Sequence, residues 1–165
     1  MRLYLVQHGE AKSEKEDPDR SLTDRGAAEI RAVAEAARRA GLKPAQMFHS
    51  GKRRAQQTAA ILAEAWHCPL EEAAGLRPND DIRPWIDRIA AENKELMLVG
   101  HLPFLQKIVM RLVSGGEEIP LVAFLNGAIY CLGPTSGRLW VIHWILHPDL
   151  IPGLTTSTSS RVWAL

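Results

Sequence analysis

The chain has little cysteine, almost no net charge and no long apolar run, and each shortage excludes a class of protein. Its two cysteines, Cys68 and Cys131, lie far apart in apolar surroundings and match no metal-ligand or redox spacing. They read as buried free thiols. Twenty Lys and Arg against nineteen Asp and Glu leave a formal charge of +1, so no overall field draws the protein to nucleic acid or to an acidic membrane surface. No apolar stretch is long enough to span a bilayer, and the first residues lack the basic start, apolar core and cleavage site of a signal peptide. A cytoplasmic protein is expected. No repeat or linker interrupts the 165 residues, 46% of them hydrophobic, a composition that folds around its own core. We read residues 1–165 as one domain, with the small polar tract from about 155 to 165 as a loosely held tail that Val162 and Trp163 could dock.

Leu3 to Val6 is a short, partly β-branched apolar run that fits a strand buried on both faces. It stops at Gln7-His8-Gly9-Glu10, where the glycine allows a sharp turn, so His8 sits at the carboxyl end of a strand. That edge of an open α/β sheet is where ligands bind. Ala11 to Arg20, charged and interrupted by Pro18, reads as a solvated loop long enough to border a site. Ser21 or Thr23 can cap a helix whose apolar positions Ile30, Val33, Ala34 and Ala37 follow the helical period, and Gly41 with Pro44 ends it. Met47-Phe48 is a short strand candidate. The helix that follows, about Lys52 to Trp66, lines up Ala55, Thr58, Ala59, Leu62, Ala65 and Trp66 and carries Arg54 in its first turn. A cation there opposes the helix macrodipole unless an anion is bound nearby.

Cys68 to Ala73 reads as another short strand and Gly75 to Asp81 as a loop whose Asp80 and Asp81 can cap the helix marked by Ile82, Trp85, Ile86, Ile89 and Ala90. Leu96 to Gly100 is the clearest buried strand. It leads into His101-Leu102-Pro103 and a helix stripe of Phe104, Leu105, Ile108, Val109 and Leu112, with proline suited to the first turn. Ala128 to Leu132 and Leu139 to Leu146 are β-like runs on either side of the turn-rich Gly133 to Gly137, a pattern for a hairpin or neighbouring strands. Strands alternating with helices over two thirds of the chain predict an α/β fold, a three-layer α/β/α sandwich around a largely parallel sheet.

Taken singly, a histidine at a strand end or an arginine in a first helical turn is more often structural or solvated than catalytic. Together, His8, His101 and Arg54 can converge at one sheet edge as a nucleophile, a proton donor and a phosphate ligand. Phosphoryl transfer needs such convergence: three phosphoryl oxygens are neutralised by arginine, histidine and backbone N–H donors, without a metal or other cofactor if the donors surround the group.

The order of motifs resembles the histidine phosphatase superfamily, with its phosphoglycerate mutase-like fold. Leu5-Val6-Gln7-His8-Gly9-Glu10-Ala11 resembles the family's Arg-His-Gly opening, and Leu22-Thr23-Asp24-Arg25-Gly26 its Leu-Thr-x-x-Gly helix entry. Ser50 through Arg54-Ala55-Gln56-Gln57-Thr58 resembles Ser-x-x-x-Arg-Ala-x-Gln-Thr, and Val99-Gly100-His101-Leu102-Pro103 completes the set. Among members the chain looks most like the short SixA-type phosphohistidine phosphatases. The resemblance implies that His8 is the nucleophile that becomes phosphorylated and is later hydrolysed, that Arg54 binds phosphoryl oxygens, and that His101 hydrogen-bonds the transferring group. It further marks Gln7, Gly9 and Arg20 as phosphate-binding positions, with a solvated role for Arg20 equally open.

Gln7 departs from the family's usual arginine. Its amide cannot form a charged bidentate clamp, so weaker phosphate binding or slower turnover is expected unless Arg20, Lys12 or Arg53 compensates, in that order. Asp80 and Asp81 are the possible general acids, although helix capping explains them without catalysis. A phosphohistidine substrate lessens the need for an acid, because imidazole leaves far more readily than an alkoxide. The expected partner is a phosphorylated protein, such as a phosphohistidine-carrying signalling or phosphotransfer domain. The alternatives are a small phosphorylated metabolite cleaved by a phosphomonoesterase, or a phosphoryl-binding regulatory module with little catalysis because of Gln7.

Overall fold

The computed structural model describes residues 1–116, 120–137 and 139–154. The expected loose tail from about 155 to 165, including Val162 and Trp163, lies outside the described residues. Strand β1 (Leu3–Gln7) is followed by helix α1 (Asp24–Arg39), β2 (Gln46–His49), α2 (Arg53–Trp66), β3 (Leu70–Glu72) and α3 (Arg83–Ala91). Then come β4 (Leu96–Gly100), α4 (Phe104–Ser114) and the pair β5 (Ile129–Pro134) and β6 (Trp140–Leu146). The six strands form one sheet in the order β3-β2-β4-β1-β5-β6. β3, β2, β4 and β1 run parallel, whereas β5 is antiparallel to β1 and to β6, so the sheet is mixed with a parallel majority.

Alternation along the strands builds the layers. Leu3 and Leu5 of β1, Leu96 and Leu98 of β4 and Phe48 of β2 face the core shared with α3 and α4. Tyr4 and Val6, Met97 and Val99, and Met47 face the opposite core against α1 and α2. Both faces of β1 and β4 are thus covered, which explains why their sequences are continuous apolar runs rather than alternating ones. Cys68 and Cys131 are buried free thiols, and burial pushes the Cys131 thiol up to about 11. No helix among the described residues is long and apolar enough to cross a membrane.

The helix ends explain how the chain leaves each strand. Thr23 caps α1, its Oγ1 accepting from Gly26 N at 2.9 Å. α3 differs from expectation. It begins at Arg83 with Ile82, whose side chain offers no cap, in the capping position and Pro84 in its first turn. Asp80 instead accepts from Arg77 N at 2.8 Å, closing the preceding turn, while Asp81 accepts from Arg83 N at 3.0 Å and pairs with its guanidinium.

Candidate active site

β1 and β4 are hydrogen-bonded neighbours in register, Gln7 beside Gly100, so the residues that follow them, His8 and His101, emerge together at one edge of the sheet. The His8 N–H donates to Gly100 O at 3.2 Å, and the two imidazole centroids are 5.0 Å apart. α2 starts at the same edge, and its first turn carries Arg54, whose Nε donates to His8 Nε2 at 3.0 Å. The first turn of α2 carries no acidic residue beside Lys52, Arg53 and Arg54. Three cations on a positive dipole end form a place suited to an anion.

The tautomer of His8 follows from its contacts. Nδ1 lies 2.7 Å from Gly9 O, an acceptor only, so Nδ1 carries the proton. Nε2 then keeps its lone pair, which accepts from Arg54. Burial holds the His8 imidazole down to about 4; the Gly9 carbonyl opposes that shift, and the charges of Arg54 and Arg20 add to it. His101 is lowered to about 3, chiefly by burial, then by His8, Arg54, Lys52 and Arg20. Both rings are neutral at pH 7, and His8 is a neutral base whose lone pair is on Nε2.

The polar motif residues act as clamps on this geometry. Ser50 Oγ lies 2.6 Å from His101 Nε2, with both side chains buried. The other ring nitrogen, Nδ1, is buried with no hydrogen-bond partner among the described residues. Thr58 Oγ1 accepts from Gly9 N at 3.0 Å and donates to Arg54 O at 2.8 Å, tying the turn after His8 to the helix that supplies Arg54. Gln57 Oε1 accepts from Leu22 N at 2.7 Å. Thr23 Oγ1 donates to Glu10 Oε1 at 2.8 Å, Glu10 also pairs with Arg25, and Gly26 packs so tightly on the Glu10 backbone that a Cβ would collide with its carbonyl oxygen. These four clamp residues stand inside the quoted motifs, yet their spacing alone gives no sign of what each one holds.

Arg20 reaches the same region by a strained route. The Ala11–Arg20 loop is not merely solvated. It is pinned at its base by an Ala11–Leu22 bridge and by Lys12 N donating to Ser21 O at 2.8 Å, with Asp17 accepting from Ser21 inside it. Arg20 has φ of 53°, a left-handed conformation that costs a non-glycine residue about 1 kcal/mol or more. Its Nε donates to Lys12 O at 3.3 Å, and its charge acts on His8, His101 and Arg54. Arg20, Gly51, Lys52, Arg53 and Arg54, with Glu14, Pro18 and Asp19, line a cleft of about 430 Å³. Lys12 and Arg53 are exposed, and Arg53 turns to Gln56.

The remaining candidates stand differently. The Gly9 N–H, expected to bind phosphate, is committed to Thr58, and Gly9 serves the site through the carbonyl that orients His8. Asp80 lines a cavity of about 500 Å³ together with Ser50, Glu72 and Arg77, whereas Asp81 is exposed, paired with Arg83 and outside that cavity. Gln7 Oε1 is buried with no hydrogen-bond partner among the described residues. Among the described residues no group of three or more His, Cys, Asp and Glu is placed to hold a metal ion.

Comparison with known proteins gives a consistent family. Residues 3–80 match the histidine phosphatase superfamily (branch 1). An uncharacterized protein of Picosynechococcus sp. is 37% identical over 164 residues, covering 88% of this chain and 99% of its own length. The solved structure of the protein histidine phosphatase SixA complexed with tungstate has a TM-score of 0.78 at 23% identity, over 90% of this chain and 98% of that one. Phosphoserine phosphatase from Entamoeba histolytica in complex with 3-phosphoglyceric acid has a TM-score of 0.68 at 18% identity, over 87% and 95% of the two chains. At these identities the structural likeness carries the fold.

Proposed function

This chain belongs to the histidine phosphatase superfamily and is a phosphatase, and within that family we propose a metal-independent enzyme that works through a phosphohistidine on His8. The observation that supports the proposal is the His8 environment: Nδ1 held by the Gly9 carbonyl, Nε2 left unprotonated, and Arg54 donating to that nitrogen. Attack requires the Arg54–Nε2 bond to open, which releases Arg54 Nε–H to a phosphoryl oxygen. A bond then forms between Nε2 and phosphorus while the bond to the leaving atom breaks, and the leaving group takes a proton from solvent. Water later cleaves the N–P bond and returns His8 to its neutral form. Arg54 and Arg20 neutralise the phosphoryl oxygens, and His101, positioned by Ser50, donates to one of them.

The favoured substrate is a phosphohistidine of a partner protein in the cytoplasm. Of the two candidate acids, Asp81 is committed to Arg83 and Asp80 to the turn at Arg77, so neither is free as it stands to protonate an alkoxide. An imidazole leaving group needs less of that help. The likeness of fold to SixA supports the same choice. Asp80 beside Ser50 in the larger cavity favours the second reading, a phosphatase of small phosphate esters, in which Asp80 leaves the turn to act as general acid. A histidine-containing protein phosphorylated with phosphoramidate, compared with simple phosphate esters as substrates, separates the two. Faster turnover of the phosphoprotein is expected, and a strong preference for esters defeats the phosphohistidine assignment.

A further inference from the structure

β3 ends at Glu72, in register with His49 at the end of β2, and the Glu72 carboxylate packs against the α-carbon of Gly51. Gly51 has φ of 78°, and a Cβ there would collide with Glu72 Oε1, so this contact requires glycine. The position matters because Gly51 follows Ser50, whose Oγ lies 2.6 Å from His101 Nε2, and lines the cationic cleft with Arg20, Lys52, Arg53 and Arg54. Ser50 and Glu72 also line the cavity of about 500 Å³ together. A carboxylate thus meets the arginine-rich cleft at a single residue.

The carboxylates of that cavity are not equivalent. Asp80 is occupied by the Arg77 N–H. Among the described residues no hydrogen bond or ion pair holds Glu72, and Arg77, which lines the same cavity, makes no ion pair with it. His49 brings no counter-charge near pH 7: its Nδ1 accepts from Gly51 N at 3.1 Å, and burial holds its imidazole below the ordinary value.

Resting on the phosphohistidine reading of this site, we propose that Glu72 is the leaving-group residue, accepting a hydrogen bond from the ring N–H of the departing imidazole. An imidazole bonded to phosphorus through one nitrogen leaves most readily when its other nitrogen is protonated, and that places a cationic ring directly beside the phosphoryl oxygens. The site presents the matching order of charge, cations for the oxygens and a carboxylate for the ring. In the step itself the substrate ring takes a proton from solvent on the nitrogen away from phosphorus, and Glu72 holds that N–H. His8 Nε2 then bonds to phosphorus as the substrate N–P bond breaks; its electron pair stays with the ring, which leaves as neutral imidazole. Glu72 receives a hydrogen bond here and gives up no proton, so it does not supply the acid that an alkoxide needs.

The two halves of the reaction separate this role from a structural one, because forming the phosphoenzyme expels an imidazole and hydrolysing it does not. With a radiolabelled phosphohistidine protein and the full chain, formation is read as loss of label from the donor, and hydrolysis as loss of label from His8 after a chase with unlabelled donor. Glu72→Gln, which keeps the size but not the charge, should slow formation about tenfold. Glu72→Lys, which sets a like charge against the ring, should slow it about a hundredfold. Hydrolysis should stay within about twofold of wild type in both variants. Equal slowing of the two halves overturns the proposal and assigns Glu72 to the shape of the Gly51 turn; formation unchanged in Glu72→Gln overturns it as well. Wild-type protein that takes no label onto His8 from the phosphoprotein defeats the phosphohistidine reading instead, and this inference with it.

Discussion

β1, β2 and β4 each end in a turn that feeds a helix or loop over the sheet edge, and those turns supply His8, Ser50 and His101, with Arg54 following from α2. β5 and β6 instead lead into each other, and although β5 is buried almost throughout, neither strand contributes a group to the site. Its Gly127 neighbour touches the site only through backbone, donating to Gln7 O at 2.9 Å. The two regions share one core and divide the work. Parallel crossovers bring residues distant in sequence to one edge, whereas an antiparallel hairpin covers the flank of β1 and keeps its last residues in place. Substitutions of the residues that the parallel strands deliver to the edge should therefore change chemistry with little loss of stability, and those of buried hairpin residues the reverse.

The largest effect is expected from Arg54→Ala, which removes the cation that touches the attacking nitrogen: kcat/KM should fall about 10²–10³-fold with the melting temperature nearly unchanged. Steady-state kinetics beside thermal melts would show it. Leu132→Ala in β5 tests the other half. It opens a fully buried position and should cost about 2–5 kcal/mol in denaturant unfolding while the folded fraction keeps its kcat. An equal loss of kcat would show that the hairpin sets the geometry of the edge. The pH profile sharpens the contrast, because protonation removes the lone pair of His8: kcat/KM should hold through mild acid and fall as pH drops through about 4. An acid limb near 6.5 would mean a solvated imidazole. The smallest effect belongs to Tyr130→Phe, which strips the hydroxyl that donates to Ala123 O and accepts from Leu125 N, both at 2.8 Å. About 1 kcal/mol of stability should be lost, with activity unaltered.

Much of this division was legible in the chain itself. Leu3–Val6 and Leu96–Gly100 are continuous apolar runs because both of their faces are covered, and the helix stripes repeat because one face of each helix is buried. His8 and His101 were visible as residues that interrupt such runs at strand ends. The clamps were not. Ser50 with His101 and Gly9 with Thr58 are pairs about fifty residues apart, and no local pattern reports a hydrogen bond made by folding. The same limit applies to Asp80, whose side chain closes the turn at Arg77 while Asp81 takes the first N–H of α3, and to Arg20, drawn back to the site by a turn centred on Asp17. Gln7 stood out in the sequence as a missing charge. Its unpartnered acceptor needed the structure.

The role of His8 as phosphoryl acceptor is tested most directly by rapid quenching during turnover, with the phosphate localised by peptide mass spectrometry. It predicts a transient phosphate on His8, stable in base and lost in acid, and absent from His8→Ala, which should also be inactive. Turnover that proceeds with no phosphate on His8, or that survives His8→Ala, would contradict it.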